Sequence, residues 1–130
     1  MYDQTMIHYK KRIYGKTIKE LKEAFSKNEL SYIKLALLFG SRAINKATPK
    51  SDYDFAILTH SNIKAPWGIE AKLWSDIPDI LNLSECDLDI INLSNASNAI
   101  LNSIKKGYII LKGSEDELQR VFNSNSKNSQ

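Results

Sequence analysis

The strongest constraint on the fold is a pair of short apolar segments, residues 32–39 and 53–59, separated by a polar stretch. Both segments have the apolar, partly β-branched composition of buried strands. The first is followed by Gly40-Ser41, and the second opens with Asp52-Tyr53-Asp54. Side chains alternate between the faces of a strand, so we expect both carboxylates on one face, about 6.5–7 Å apart along the backbone. Two acidic groups are thereby predicted at the entrance to a buried strand.

The rest of the chain alternates between helical and strand-like patterns. Apolar spacing and capping residues predict helices over about 15–28, 66–82, 97–106 and 114–123, and strands over 86–93 and 108–111. Trp67 and Trp74 are placed on one face of the second helix, packed in the core or, alternatively, presented to a partner. We expect Pro78 to bend that helix or end it early. This pattern predicts an α/β (α+β) fold with a small mixed sheet of three to four strands flanked by helices.

Length and composition favour one globular domain. The chain has 130 residues, 42% hydrophobic and 25% charged, which suits a single domain over residues 1–130 with a core at about 15–123 and a polar tail at 124–130. No apolar run reaches the roughly 20 residues that span a bilayer, and residues 1–5 lack a secretion-signal pattern, so a cytoplasmic location without membrane contact is expected. The single cysteine, Cys86, is expected to be a buried packing residue.

Charge alone does not identify a partner. The formal net charge of +3 suits a nucleotide, a nucleic acid or an acidic protein. The basic run Lys10-Lys11-Arg12 is interpreted as a solvated segment, so direct nucleic-acid binding is not expected. A Gly-x-x-x-x-Gly-Lys-[Ser/Thr] phosphate-binding loop is absent from the sequence.

The predicted third strand carries two further acidic residues, Asp87 and Asp89. If this strand lies beside the second, one of them can join Asp52 and Asp54 in a cluster of three. Three oxygen donors on a rigid sheet suit Mg²⁺, and two such ions could stabilise the entering and departing oxygens of a phosphoryl displacement. At the end of the first strand, Gly40-Ser41 leads into a helical turn whose backbone N–H groups could bind phosphate. The Ser41 hydroxyl could add a hydrogen bond, and Arg42 a charge.

Taken together, these residues resemble a known family. Gly40-Ser41, ten intervening residues and Asp52-Tyr53-Asp54 match the Gly-Ser-x10-Asp-x-Asp signature of the DNA polymerase beta-like nucleotidyltransferases. The segments "IKLALLFGSRA", "SDYDFAIL" and "LDIINLSNAS" are similar to the family's motif strands, and "SIKKGYIILKGSEDELQRVF" is similar to its C-terminal end. In size the chain most resembles the minimal nucleotidyltransferase (MNT) antitoxins.

The resemblance implies a function and a partner. Such antitoxins transfer AMP from Mg-ATP to a tyrosine of a cognate HEPN-type ribonuclease toxin and silence it. Two other functions remain open: a non-catalytic antitoxin that masks the toxin by binding, and a nucleotidyltransferase acting on a small molecule such as an aminoglycoside.

The resemblance also implies roles for individual residues. Asp52, Asp54 and Asp89 would be catalytic residues and ligands of two Mg²⁺ ions, with Asp87 as the alternative third ligand. Gly40, Ser41 and Arg42 would bind the phosphates of ATP. Many relatives continue as "GSRARG", whereas this chain reads Gly-Ser-Arg-Ala-Ile-Asn over residues 40–45. The second arginine is missing, and Lys46 could substitute for it.

Overall fold

The structure is a computed structural model that describes residues 16–44, 46 and 51–128, with the backbone alone for residues 125–128. In these residues four strands alternate with helices: α1 (Ile18–Phe25), β1 (Ile33–Phe39), β2 (Tyr53–Thr59), α2 (Ile69–Leu81), β3 (Leu88–Asn92), α3 (Asn98–Lys105), β4 (Tyr108–Lys112) and α4 (Glu115–Asn128). The strand order is β3-β2-β1-β4. Strand β1 is antiparallel to β2 and β4, while β2 and β3 are parallel. The predicted mixed α/β sheet is confirmed.

The sheet separates two apolar cores. One core packs α1 and α2 against one face, with Phe25, Phe55 and Ile77 wholly buried. The other packs α3 and α4 against the opposite face, with Leu37 and Ile104 wholly buried. Successive side chains of β2 contribute to the two cores in turn, as strand alternation requires. This two-sided burial explains why the central strands have such continuous apolar sequences.

Polar residues begin three of the helices. The Thr17 hydroxyl accepts a hydrogen bond from the Glu20 N–H (3.1 Å), and the Glu20 carboxylate accepts one from the Thr17 N–H (2.9 Å). Ser97 caps α3 through the Ile100 N–H at 3.2 Å, and Ser114 caps α4 through the Glu117 N–H at 3.3 Å. Each hydroxyl satisfies a backbone donor that has no partner within the helix.

Helix α2 differs from the sequence expectation at both ends. It begins at Ile69 because Pro66 and Trp67 lie in a preceding turn, closed by a 2.9 Å hydrogen bond from the Gly68 N–H to the Ala65 carbonyl. Trp67 is therefore 88% exposed, and its predicted placement on the helix was wrong. The expectation of an early helix end at Pro78 was also wrong, because the helix continues past this residue to Leu81.

Two other local expectations need correction. Cys86 is exposed because it lies in a 3₁₀ turn, Glu85–Asp87, ahead of β3 rather than within the strand. Helix α4 continues to Asn128, beyond the end expected near residue 123. The basic run at residues 10–12 lies outside the described residues. Among the helices that the structure describes, none has the length and apolar character needed to cross a membrane.

Candidate active site

The strand register brings three aspartates to one end of the sheet. Asp54 pairs with Asp89 across the parallel β2–β3 ladder and with Phe39 across the antiparallel β1–β2 ladder. Directly paired residues point to the same face, so both carboxylates lie on the face covered by α3 and α4. Asp52, two residues before Asp54, falls on the same face by alternation. The backbone register thus pairs Asp54 with Asp89 on neighbouring strands, and a joint role for the three aspartates stays a prediction.

The three negative charges act on one another. Burial raises the pKa of Asp54, and the negative charges of Asp89 and Asp52 raise it further. Each effect disfavours the ionised carboxylate, the first through lost hydration and the others through repulsion. A cation placed among these groups would relieve that penalty, which is the electrostatic condition that a metal site requires.

The end of β1 lies directly against this acidic cluster. Gly40 has a φ of +76°, and a Cβ added at this position would collide with Oδ2 of Asp54. The turn that follows is held by hydrogen bonds from the Ala43 N–H to the Gly40 carbonyl (3.0 Å) and from the Lys46 N–H to the Ser41 carbonyl (2.9 Å). Only a residue without a side chain allows the turn to approach the carboxylate this closely.

The candidate third ligands occupy different positions. Asp89 lies within β3, exposed, and its Oδ1 accepts a 3.0 Å hydrogen bond from the Ile90 N–H. Asp87 lies one turn earlier, in the 3₁₀ segment, so Asp89 is the residue in register with Asp54. Within residues 16–44, 46 and 51–128, no three acidic, histidine or cysteine side chains are already close enough together to hold a metal ion. Binding one would require the carboxylates to move closer together than they lie here.

Arg42 contacts the start of β2. Its Nε donates a 3.0 Å hydrogen bond to the Ser51 carbonyl, and its guanidinium carbon lies 4.2 Å from the centroid of the Tyr53 ring. The Tyr53 side chain belongs to the core beneath α1 and α2, on the face opposite the aspartates. In this position the guanidinium is directed away from the acidic cluster.

Two contacts that border the site do not follow from the residue pattern. Tyr108 of β4 pairs with Phe39 of β1, which in turn pairs with Asp54 of β2. These residues and Asp89 of β3 therefore lie side by side across the four strands. Its hydroxyl donates to the Glu115 carboxylate at 2.6 and 2.8 Å to the two oxygens. This hydrogen bond raises the pKa of Tyr108 and lowers that of Glu115. The hydrogen bond depends on how the start of α4 lies beside the start of β4, which residue spacing does not predict.

The second contact joins the turn after β1 to the α3–β4 connection. A Cβ at Gly107 would collide with Cγ2 of Ile44. The chain passes through Gly107 just before β4, beside the segment that contains Gly40 and Ser41. The proximity of Gly107 to Ile44 depends on tertiary structure and does not follow from the residue pattern.

Known proteins share sequence similarity with this chain. A family model described as polymerase beta, nucleotidyltransferase, matches residues 19–116. The protein adenylyltransferase MntA of Aphanizomenon flos-aquae (strain 2012/KM1/D3) is 29% identical over 127 residues, covering 85% of this chain and 82% of that protein.

Solved structures show the same fold. A chain from the crystal structure of a toxin–antitoxin with AMP-PNP superimposes with a TM-score of 0.61 at 16% identity, covering 86% of this chain and 89% of that chain. A chain from the structure of a tri-AMPylated Shewanella oneidensis HEPN toxin in complex with an MNT antitoxin gives a TM-score of 0.56 at 15% identity, with 85% and 88% covered. At these identities the likeness establishes the arrangement of strands and helices.

Proposed function

Because the chain belongs to the polymerase beta nucleotidyltransferase family, we propose that it is an antitoxin that transfers AMP from ATP to a tyrosine hydroxyl of a cognate HEPN-type toxin and so inactivates it. The observation that carries the proposal is the pairing of Asp54 with Asp89 beside the Gly40 turn. The names of the relatives support the specific reaction, since they describe a protein adenylyltransferase and an AMPylated HEPN toxin bound to an MNT antitoxin.

The turn after β1 would bind the triphosphate. Gly40 permits close backbone approach, and the Ser41 hydroxyl and the backbone N–H groups of the turn offer hydrogen-bond donors to phosphate oxygens. Because this turn lies against Asp54, a phosphate bound there would be next to the acidic cluster. A triphosphate in this position could accept hydrogen bonds from the turn and, at the same time, contact a metal ion held by the aspartates.

Asp52, Asp54 and Asp89 would hold two Mg²⁺ ions. Their oxygen donors are those that Mg²⁺ prefers, and their mutual repulsion supplies the electrostatic reason to bind it. When bound, the metal would supply charge neutralisation at the phosphates and at the entering and departing oxygens.

The chain's own groups would position the reactants and accept the proton. The tyrosine oxygen forms a bond to the α-phosphorus of ATP as the α–β phosphoanhydride bond breaks and pyrophosphate leaves. The phenolic proton passes to the Asp89 carboxylate and from there to solvent. Catalysis of this kind rests on orientation and on stabilisation of developing charge.

The test is an intact-mass measurement on the partner. The purified protein is mixed with a cognate HEPN-type toxin, in the presence of Mg-ATP. We expect the partner to gain the mass of one or more adenylyl groups and to lose ribonuclease activity. The Asp52→Ala/Asp54→Ala double variant should fold and yet leave the mass unchanged. Asp79→Ala, which removes an exposed carboxylate from α2, is the matched control and should transfer AMP normally.

The same experiment separates the alternative functions. A partner of unchanged mass that nevertheless loses activity would identify an antitoxin acting by masking. Full transfer by the double variant would contradict the metal assignment. Transfer of label from ATP to an aminoglycoside, with none to the partner, would identify a small-molecule enzyme.

A further inference from the structure

Arg42 makes contacts that differ from those expected of a phosphate ligand. It follows Ser41 directly in sequence, yet its side chain reaches the first residues of β2. Nε donates to the Ser51 carbonyl at 3.0 Å, and the guanidinium lies over the Tyr53 ring at 4.2 Å. Ser51 and Tyr53 are the residues before and after Asp52 in the sequence. The Arg42 side chain therefore contacts both neighbours of that aspartate.

The Tyr53 ring, on which Arg42 lies, is buried and is held by contacts at its face and at its hydroxyl. Tyr53 is 3% exposed, its ring stacks on that of Phe55 at a centroid distance of 6.0 Å, and its hydroxyl accepts a 2.6 Å hydrogen bond from the Lys16 N–H. A ring held at its face and at its hydroxyl cannot easily shift. A guanidinium placed on it is therefore held in position relative to the body of the protein.

The turn that carries Arg42 is equally well anchored. Its preceding residues include Gly40, whose Cα lies against the Asp54 carboxylate. The adjacent Ala43 packs against the core beneath α1 and α2. Arg42 thus connects two segments with different proposed tasks: the Gly40-Ser41 turn for phosphate and the start of β2 for metal.

Resting on the proposed function, we propose that Arg42 is a positioning residue that fixes the distance between the phosphate-binding turn and Asp52, and that it does not bind the triphosphate. The planar guanidinium suits this role, because it can donate from Nε in its plane while its face lies on an aromatic ring. A lysine at this position would keep the charge and could still lie over the ring, as Lys72 lies over the ring of Tyr32, but it would lose the hydrogen bond from Nε and the stacking of a planar group.

Substitution of Arg42 by lysine and by alanine distinguishes the two roles. For a positioning residue, Arg42→Lys and Arg42→Ala should both lower kcat for AMP transfer, by ~10- to 100-fold and more strongly for alanine, with the KM for ATP nearly unchanged. For a phosphate ligand, Arg42→Lys should retain most activity, and Arg42→Ala should raise the KM for ATP in a salt-dependent way. The second pattern would overturn the inference. Lys64→Ala, an exposed lysine near the far end of the sheet, is the matched control for loss of a cation.

A second measurement is independent of AMP transfer. Backbone amide resonances are recorded for ligand-free wild type and for Arg42→Lys, whose shared aliphatic stem preserves most of the packing. We expect the resonances of Ser41, Asp52 and Tyr53 to shift and the hydrogen exchange of the Asp52 and Tyr53 amides to accelerate. Unchanged resonances at these residues would overturn the inference, even if the wild type transferred no AMP. Shifted resonances in a protein without transferase activity would support Arg42 as a connecting residue while contradicting the proposed function.

Discussion

Gly40 illustrates how backbone conformation and site geometry combine at a single residue. Its φ of +76° lies in the region that residues with a Cβ rarely adopt, and its missing side chain leaves room for the Asp54 carboxylate. Gly68 has a similar φ of +94°, but a Cβ there would meet nothing within 4 Å. Gly68 therefore needs only a backbone conformation with positive φ. Gly40 needs that conformation and also the absence of a side chain next to Asp54.

We expect Gly68→Ala to lower the free energy of unfolding by about 1–3 kcal/mol, because residues with a Cβ rarely adopt its backbone conformation. Gly40→Ala should lower it by more, because its Cβ would also collide with Asp54. Gly40→Ala should in addition lower AMP transfer by ~100-fold, since the new methyl group displaces Asp54. Urea unfolding and a transfer assay on both variants provide the measurement. Equal activity in the two would show that the close approach to Asp54 is unimportant.

Asp54 itself should make stability depend on pH. Its pKa in the folded state is raised by burial and by Asp89 and Asp52, so above about pH 4, where an unfolded aspartate ionises, the folded state retains more protons. The free energy of unfolding consequently falls as pH rises through this range. Asp54→Asn removes the ionisation, so we expect it to be more stable than wild type at pH 7 in metal-free buffer.

The pH profile is the decisive measurement for this variant. Urea unfolding between pH 4 and pH 8, in the presence of EDTA, should show a stability difference that grows with pH. Asp79→Asn, on the exposed side of α2, is the control and should follow wild type. A difference for Asp54→Asn that stays constant across the range would mean that neither burial nor the neighbouring carboxylates raise the pKa of Asp54 in the folded state.

Among the secondary-structure elements, the contact of the turn after β1 with the α3–β4 connection has the clearest bearing on the site. Gly107 allows Ile44 to lie against the backbone, and Ile44 ends the turn that begins with Gly40. Ile44 is 41% exposed, but the clash falls on Cγ2 of its stiff, β-branched side chain, so a side chain at residue 107 displaces Ile44 and with it the end of the turn.

We expect Gly107→Ala to lower kcat/KM for ATP by about tenfold, because the phosphate-binding turn shifts relative to β2. Shortening the opposing side chain should reverse the effect, so the Gly107→Ala/Ile44→Ala double variant should approach the activity of Ile44→Ala alone. Steady-state kinetics of the three variants test this coupling. Purely additive losses in the double variant would contradict it.

At the scale of the whole molecule, stability depends on two apolar cores that share one sheet. They lie on opposite faces of one sheet, and each is completed by its own pair of helices. Ile77 and Ile104 are wholly buried, one in each core. The sheet between them prevents direct contact while linking both cores to the same four strands.

We expect Ile77→Ala and Ile104→Ala each to lower the free energy of unfolding by about 2–5 kcal/mol, through lost burial and the cavity left behind. In the double variant the losses should add to within about 0.5 kcal/mol, because the sites share no neighbours. Urea unfolding should remain one cooperative transition, as the predicted single domain requires. Two separate transitions would show that the faces unfold independently.

The strands and the acidic motif were predictable because they depend on local chemistry. Continuous apolar runs are typical of strands buried on both faces, and alternation alone places Asp52 and Asp54 on one side. Residues such as Ser97 and Ser114 marked the helix starts for a similar reason, since a cap acts within three residues. The predictions for Trp67 and Cys86 were wrong because each residue lies in a turn that precedes the helix or strand to which it was assigned.

The amino-acid sequence by itself determined the alternation of strands and helices and the spacing of Gly40-Ser41 from the two aspartates, since these depend on neighbours along the chain. Tertiary structure alone decided that Asp89 is in register with Asp54, that Arg42 lies on Tyr53, and that Gly107 adjoins Ile44. The physical reason is that strand register and the direction of a long side chain follow from packing between segments distant in sequence.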